Sequence, residues 1–349
     1  MLAKVHDLCI MLPVAKPEAL PEVVGQDVAK KVVVTGGAGF IGSHLAEELA
    51  RRGYYTIILD DLSTGKMENI KTLISSPRHS ERSEESQGNV DFIQGSITDL
   101  PLLLELFRGV DYVFHQAALP SVPRSIEDPL STNEVNITGT LNVLLAARDN
   151  NVKKVIFAAS SSVYGDIPTL PKTEDMIPRP QSPYALTKLV GEYYCRIFHQ
   201  IYDLPTICLR YFNVYGLRQD PDSSYAAVIP IFITRVLQDK PPIIYGDGEQ
   251  TRDLTFIKDV IKANIIGAER DACGVFNIGG GENSTINDLA KTIINLMGKD
   301  LQREYQPQRP GDIKHSLADI SRARAIGCHP EYNLDNGLRE IIKRLTSAS

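Results

Sequence analysis

The chain alternates short, continuously apolar runs with stretches in which apolar residues recur every three or four positions. The first run, Lys31-Val32-Val33-Val34-Thr35, reads as a buried strand and leads into a glycine-rich turn. Phe40, Ile41, Leu45 and Leu49 then fall at helical spacing, and Gly53 stands where a helix C-terminal cap belongs. A second apolar run over 55–59 ends in Asp60-Asp61. Further strand candidates lie around Val90, Phe92 and Ile93, at Tyr112-Val113-Phe114, at Val155-Ile156-Phe157 and at Ile207-Cys208-Leu209. Helical stretches separate them, among them 100–107 and 137–148. Continuously apolar strands alternating with helices predict an α/β fold, a doubly wound parallel sheet covered on both faces.

Two segments break the rhythm. Residues 75–88 read SSPRHSERSEESQG, with no aliphatic or aromatic side chain, and are expected to form a solvated insertion. After residue 213 the alternation loosens into proline-bounded pieces at Pro230, Pro241-Pro242, Pro307 and Pro310. The expected organisation is an N-terminal extension over 1–30 and a dinucleotide-binding domain over 31–212, completed by a segment near 250–270. A smaller mixed α/β substrate-binding domain takes 213–249 and 271–349.

Composition narrows the function classes. Among 349 residues, 37 Lys and Arg stand against 43 Asp and Glu, a net charge of −6. No basic field exists to hold nucleic acid or an anionic membrane, so neither is expected as a partner. No apolar run approaches the ~20 residues that cross a bilayer. The apolar stretch at 8–12 is broken by Pro13 and followed by Lys16, Pro17 and Glu18, unlike a signal peptide. Cys9, Cys195, Cys208, Cys273 and Cys328 are scattered without metal-ligand spacing, which favours reduced thiols, a cytoplasmic setting and no metal.

The turn Gly36-Gly37-Ala38-Gly39-Phe40-Ile41-Gly42 joins a predicted strand to a predicted helix, the setting of a dinucleotide fingerprint in a Rossmann-like fold. Bare amides at a helix start approach a pyrophosphate, and the helix dipole favours its charge. Asp60 lies 18 residues past Gly42 at the end of the second strand, where a carboxylate accepts both adenosine ribose hydroxyls. Two carboxylates with no nearby arginine would repel a 2′-phosphate, so NAD is expected rather than NADP. Ser63, Thr64 and Gly65 follow in a turn that could reach the ribose. Gln116, Ala117 and Ala118 follow the fourth strand with backbone placed near the cofactor. His115 at that strand end reads as structural.

Ser160-Ser161-Ser162-Val163-Tyr164-Gly165 follows the strand at 155–157, at the sheet end where open α/β folds bind ligands. Ser182-Pro183 then reads as N-cap and first residue of another helix. Tyr184 and Lys188, four residues apart, share one face of it. A free phenol has a pKa near 10. A neighbouring ammonium and a positive nicotinamide ring would both favour the phenolate, giving a base for an alcohol proton.

With these motifs in order, residues 31–330 resemble the extended short-chain dehydrogenase/reductase family. Thr35 to Gly42, Asn136, the Ser160 triplet and Tyr184-Ala185-Leu186-Thr187-Lys188 match its signatures. Arg210-Tyr211-Phe212-Asn213-Val214-Tyr215-Gly216, and Gly246-Asp247-Gly248 followed by Arg252-Asp253, resemble its nucleotide-sugar members. Ala118-Leu119-Pro120-Ser121-Val122-Pro123-Arg124-Ser125, Arg218-Gln219-Asp220-Pro221 and Tyr225-Ala226-Ala227-Val228-Ile229-Pro230 look like those of UDP-N-acetylglucosamine 4-epimerases. The resemblance implies that Tyr184 takes the proton of the sugar 4-hydroxyl while hydride passes to tightly held NAD. Ser160 would steady the same oxygen, and Lys188 would hold the nicotinamide ribose. The 4-ketose would then turn about its diphosphate and take hydride back on the other face.

The same resemblance implies cofactor contacts from Ser96, Ile97, Asn136 and Tyr211. It places Asn213, Ala227, Val228, Tyr245, Arg252 and Arg309 around the nucleotide, and Ser121, Ser161, Ser162 and Gln219 near the sugar. Where the family usually has an acidic residue near the adenine amine, this chain has Ser96. The resemblance implies that Ser316 holds the family's gate on substrate size, where a tyrosine confines an enzyme to glucose and galactose and a small residue leaves room for an N-acetyl group. The implied reaction interconverts UDP-GlcNAc and UDP-GalNAc, with UDP-glucose and UDP-galactose also accepted; an enzyme restricted to the non-acetylated pair is the alternative. Dehydratases and decarboxylases of the family carry a carboxylate where Ser162 stands. A non-catalytic NAD-binding scaffold would be expected to lack Tyr184 or Lys188. A homodimer formed through paired helices, one of them bearing Tyr184 and Lys188, is also implied.

Overall fold

Seven strands form one parallel sheet: β1 (Lys31–Thr35), β2 (Tyr55–Asp60), β3 (Val90–Gln94), β4 (Tyr112–His115), β5 (Lys154–Ser160), β6 (Thr206–Tyr211) and β7 (Gly274–Ile278). Their spatial order is β7-β6-β5-β4-β1-β2-β3. The computed structural model describes residues 29–74, 90–220, 227–308 and 314–347. The insertion at 75–88, nearly all of the 1–30 extension, and Arg309 fall outside them.

Strand residues point alternately to the two faces, and both faces are buried. Val32, Val34, Ile58, Phe114, Ile156 and Ile207 pack on the side of α1 (Phe40–Arg51). Val33, Ile57, Val113, Val155, Phe157 and Cys208 pack on the other. There they meet α2 (Leu100–Leu106), α3 (Gly139–Asp149) and α4 (Pro183–Tyr202). A further helix, α5 (Ile257–Glu269), lies beside α1. The sequence cues at the helix ends hold. Gly53 follows α1 at φ +85, and Ser182 caps α4 by accepting from the Ala185 amide at 3.1 Å, with Pro183 in the first turn.

The smaller C-terminal part gathers the helices Val228–Leu237, Ile286–Leu296 and Leu334–Ser347 around Phe232, Ile244, Leu289 and Leu338. These side chains belong to the same continuous core as Leu45 and Val260, so apolar packing crosses the junction between the two parts. One expected boundary needs correction. Segment 271–349 was expected to be all substrate-binding domain, yet its first strand, β7, pairs with β6 from Gly274↔Ile207 to Ile278↔Tyr211. A five-residue strand after a short turn carried too weak a period to separate it from the loop-rich region around it. Among the described residues, no helix is long and apolar enough to cross a membrane.

The C-terminal ends of β1, β4, β5 and β6 thus bring together the glycine turn, residues 116–118, the Ser160 turn and Asn213. That convergence is where open α/β sheets bind ligands.

Candidate active site

The glycine turn is shaped by contacts that no side chain would permit. Gly36 has φ +67, and a Cβ there would lie 2.7 Å from the Ala117 backbone. A Cβ on Gly42 would fall 2.1 Å from the Gly36 carbonyl oxygen. The chain enters α1 at Gly39 with no side-chain cap and no acidic residue in the first turn, so the helix start, with Phe40 and Ile41, presents positive potential without an internal counter-charge. These residues fit the pyrophosphate of a dinucleotide. Asp60, at the end of β2, accepts from the Ala38 amide at 2.9 Å and the Leu62 amide at 2.8 Å. Burial pushes its pKa up and those amides pull it down, the burial being the larger effect. Gly65 closes over the carboxylate, since a Cβ there would sit 2.7 Å from Asp60 Oδ1. Ser63 and Thr64 are exposed beside it.

Several expected cofactor residues are engaged within the protein. Gln116 Nε2 donates to Asn264 Oδ1 at 2.9 Å and to the Tyr211 hydroxyl at 3.2 Å, so both side chains turn toward α5. The backbone at Ala117 is what meets the glycine turn, and Ala118 follows it. Asn136 Oδ1 accepts from the Leu119 amide at 2.8 Å and its Nδ2 donates to Thr187 Oγ1 at 3.1 Å, tying this turn to the helix of Tyr184. Ser96 Oγ accepts from the Thr98 hydroxyl at 2.9 Å, and Ile97 is buried against Gly139. His115 lies between Thr35 Oγ1 at 2.8 Å and Thr140 Oγ1 at 2.9 Å. Burial lowers its pKa to about 3, so it is neutral and structural.

Ser160, Tyr184 and Lys188 meet at the end of β5. Ser160 Oγ accepts from the Ser162 hydroxyl at 2.9 Å, and its side chain stands near the Tyr184 phenol. With Ser162 donating to it, Ser160 has its own proton left for the Tyr184 oxygen. Ser161 opens the short 3-10 turn Ser161–Tyr164. Lys188 Nζ donates to the Ala158 carbonyl at 2.8 Å, and burial lowers its pKa to about 8. The expected depression of the Tyr184 pKa by Lys188 is absent from this arrangement. Burial raises the phenol and the nearby Ser160 hydroxyl offsets part of that rise. The lysine charge is directed to a backbone carbonyl, with its Nζ 6.0 Å from the Tyr184 ring centroid.

Motif reading missed the polar core beneath this triad. Arg210 on β6 forms a two-pronged ion pair with Glu192 on α4, at 2.8 and 2.7 Å, and donates to the Tyr164 hydroxyl at 2.8 Å. Tyr164 in turn donates to Asn277 on β7 at 2.7 Å. One guanidinium therefore joins the Tyr184 helix, the Ser160 turn and the sheet. The four residues of this network come from four separate elements, so no local spacing marks them.

A cavity of about 250 Å³ is lined by Asn213, Ala227, Val228, Tyr245 and Arg252 among others. The helix Val228–Leu237 starts there at Ala227 with no side-chain cap and no acidic residue in its first turn. Arg252 donates to the Thr251 carbonyl at 2.9 Å. Half-buried Ser316 bonds through its amide to the Thr251 carbonyl at 3.2 Å, which sets it beside Arg252. Two expected sugar contacts also have local duties. Ser121 caps the helix Val122–Glu127, and the Gln219 amide bonds to the Gly216 and Val214 backbone of its own turn.

A glycine turn after β1 that fits a pyrophosphate, a carboxylate at the end of β2 and a Ser-Tyr-Lys group at the end of β5 are the parts expected of an NAD-dependent enzyme that acts on an alcohol carbon. A model of the NAD dependent epimerase/dehydratase family matches residues 32–279, and the chain belongs to that family. It is similar to a UDP-N-acetylglucosamine 4-epimerase of Methanobrevibacter ruminantium, solved with UDP-N-acetylmuramic acid. That match has 45% identity and TM-score 0.85 over 92% of this chain and 99% of the other. A UDP-glucose 4-epimerase of Thermus thermophilus, solved with NAD, shares 36% identity at TM-score 0.79, covering 91% of this chain and 100% of that one. A putative UDP-glucose 4-epimerase of Methanocaldococcus jannaschii is 37% identical, covering 89% of this chain and 97% of its own.

Proposed function

We propose that this protein is a UDP-sugar 4-epimerase that interconverts UDP-GlcNAc and UDP-GalNAc and also accepts UDP-glucose and UDP-galactose. The carrying observation is that Ser160, which ends β5 near Tyr184, lies in register with Tyr211, two residues before Asn213 on the wall of a cavity with two features suited to a diphosphate. Those features are an uncapped helix start at Ala227 and Val228 and the neighbouring guanidinium of Arg252. Bound NAD supplies the acceptor for the C4 hydride. The glycine turn and Asp60 hold it, Lys188 holds its nicotinamide ribose, and Ser96, Ile97, Gln116 to Ala118, Asn136 and Tyr211 shape the walls. With the positive ring of bound NAD beside it to favour the phenolate, Tyr184 would receive the proton of the 4-hydroxyl, and Ser160 would donate to the same oxygen as charge develops on it. The nucleotide is gripped by Asn213, Tyr245 and Arg252, while Ser121, Ser161, Ser162 and Gln219 border the sugar. A firm hold on the diphosphate with few contacts to the hexose lets the 4-ketose turn before reduction.

Acetylated substrates are favoured because Ser316 is small and stands on the strand edge beside Arg252; the 45% identity to a UDP-N-acetylglucosamine 4-epimerase adds support. Ser316→Tyr should lower kcat/KM for UDP-GlcNAc by at least about 100-fold, a loss of ~3 kcal/mol, while sparing UDP-glucose. Equal loss on both sugars would return the reading to a general structural effect. We further propose a homodimer in a reducing, cytoplasmic setting. Leu186, Tyr193, Ile197 and Ile201 on α4 are exposed beside Ile126 and Leu130, an apolar face suited to a second copy. The thiols of Cys195, Cys208, Cys273 and Cys328 are unbridged.

A further inference from the structure

Asp253 is fully buried, and its carboxylate joins three segments. Oδ1 accepts from the Gly280 amide at 2.6 Å, and Oδ2 accepts from the Gly281 amide at 3.2 Å and the Ala318 amide at 3.0 Å. Its own carbonyl accepts from Asn213 Nδ2 at 3.1 Å. Its neighbours Arg252 and Leu254 both line the cavity. Along the same strand, Thr251–Asp253, the Thr251 amide donates to the Lys314 carbonyl at 2.9 Å and its carbonyl accepts from Ser316 at 3.2 Å. The packing leaves little room for adjustment, since a Cβ on Gly279 would lie 2.9 Å from Asp253 Oδ2 and 2.7 Å from Ala318 Cβ.

Three N–H groups aimed at one side chain require a pure acceptor. An ionised carboxylate is one; an amide sets its NH2 against one of the three, and a carboxylic acid puts a hydrogen on an oxygen that is already accepting and weakens that bond. A buried amide turned away from its acceptor is costly, so the segment carrying it shifts instead.

We propose that ionised Asp253 is a positioning residue for the nucleotide site: it holds 279–281 and 314–318 against strand 251–253, which sets Arg252, Asn213 and Ser316 around the cavity. Protonation of Asp253 releases that wall and weakens substrate binding. This rests on the UDP-sugar reading above. Burial pushes the Asp253 pKa up to about 6, more than the three amides pull it down. Glu282 adds to the rise. Other charged or titratable groups on the segments packed here are Arg252, Lys314, Asp319, Arg324, Lys172 and Glu174. His315 is another, with Nδ1 3.1 Å from Thr251 Oγ1.

The test measures equilibrium binding of UDP-N-acetylglucosamine, whose diphosphate carries no proton that titrates near pH 6, to NAD-loaded protein. A Tyr184→Phe background stops turnover. With Asp253 intact, affinity should fall about 10-fold between pH 7.5 and 5. Asp253→Asn should bind about 10-fold more weakly at pH 7.5 and show little further pH dependence. In the otherwise native enzyme, Asp253→Asn should raise KM while kcat stays within about threefold. Wild-type affinity and slope in Asp253→Asn would overturn the proposal. If Asp253→Asn does not fold, His315→Gln decides: a retained slope supports Asp253, and a lost slope assigns it to the histidine and overturns the proposal. Protein with Asp253 intact that binds no UDP-sugar at pH 7.5 overturns the UDP-sugar reading, and this inference with it.

Discussion

Lys188 is nearly sealed from solvent, and its one hydrogen-bond acceptor is a backbone carbonyl. Lowering its pKa from 10.5 to about 8 means that keeping it charged costs the folded state about 3 kcal/mol. The sign follows from linkage. Below pH 8 the lysine is charged in both folded and unfolded chains, so the whole cost is present. Between pH 8 and 10.5 the folded state releases its proton first and the cost fades. Lys188→Met should therefore raise the unfolding midpoint at pH 7 while reducing turnover by about 10²–10⁴-fold. The stability gain should shrink as pH rises toward 10. Denaturant titrations at pH 7 and 9.5 check this, and a variant less stable than wild type at pH 7 would contradict it. Ser160, Tyr184 and Lys188 were readable from the sequence because each follows or lies on a strongly patterned element. Glu192, Arg210 and Asn277 were not, because their pairing exists only after α4, β6 and β7 have packed together.

The elements that build the site are punctuated by glycines of two kinds. Gly42 is confined by a neighbour, whereas Gly53 is confined only by its backbone angle, with nothing within 4 Å of a Cβ placed there. Gly42→Ala would drive its methyl into the Gly36 carbonyl and deform the turn that receives the pyrophosphate. It should yield protein largely free of NAD, measured by releasing the cofactor with acid and quantifying it. Gly53→Ala should keep its NAD and lose about 1 kcal/mol of stability from the left-handed conformation. NAD retained in full by Gly42→Ala would contradict the seat assigned to the turn. The strand-turn-helix rhythm through β6 was legible because β1, β2, β4, β5 and β6 each bury apolar residues on both faces. Strand β7 was not, since Gly274-Val275-Phe276-Asn277-Ile278 has only three apolar residues and lies among glycines.

At the scale of the whole molecule, a single core runs from the sheet into the smaller part, so substrate and cofactor walls are braced against each other. The apolar strip on α4 faces away from the sheet, on the opposite side of the helix from Gly191 and Cys195. Ile197→Glu should convert a dimer to a monomer in light scattering, because a second copy would have to bury the new charge without a partner. A wild-type chain that is monomeric at micromolar concentration would remove the dimer from consideration.

The measurement that bears most directly on function is turnover of UDP-N-acetylglucosamine in D2O by the purified protein, with no NAD added. Hydride that leaves C4 and returns from the same tightly held cofactor does not exchange with solvent, so UDP-GalNAc carrying hydrogen at C4 is expected. Absence of the galacto product, or its appearance with deuterium at C4, would contradict transient oxidation by resident NAD.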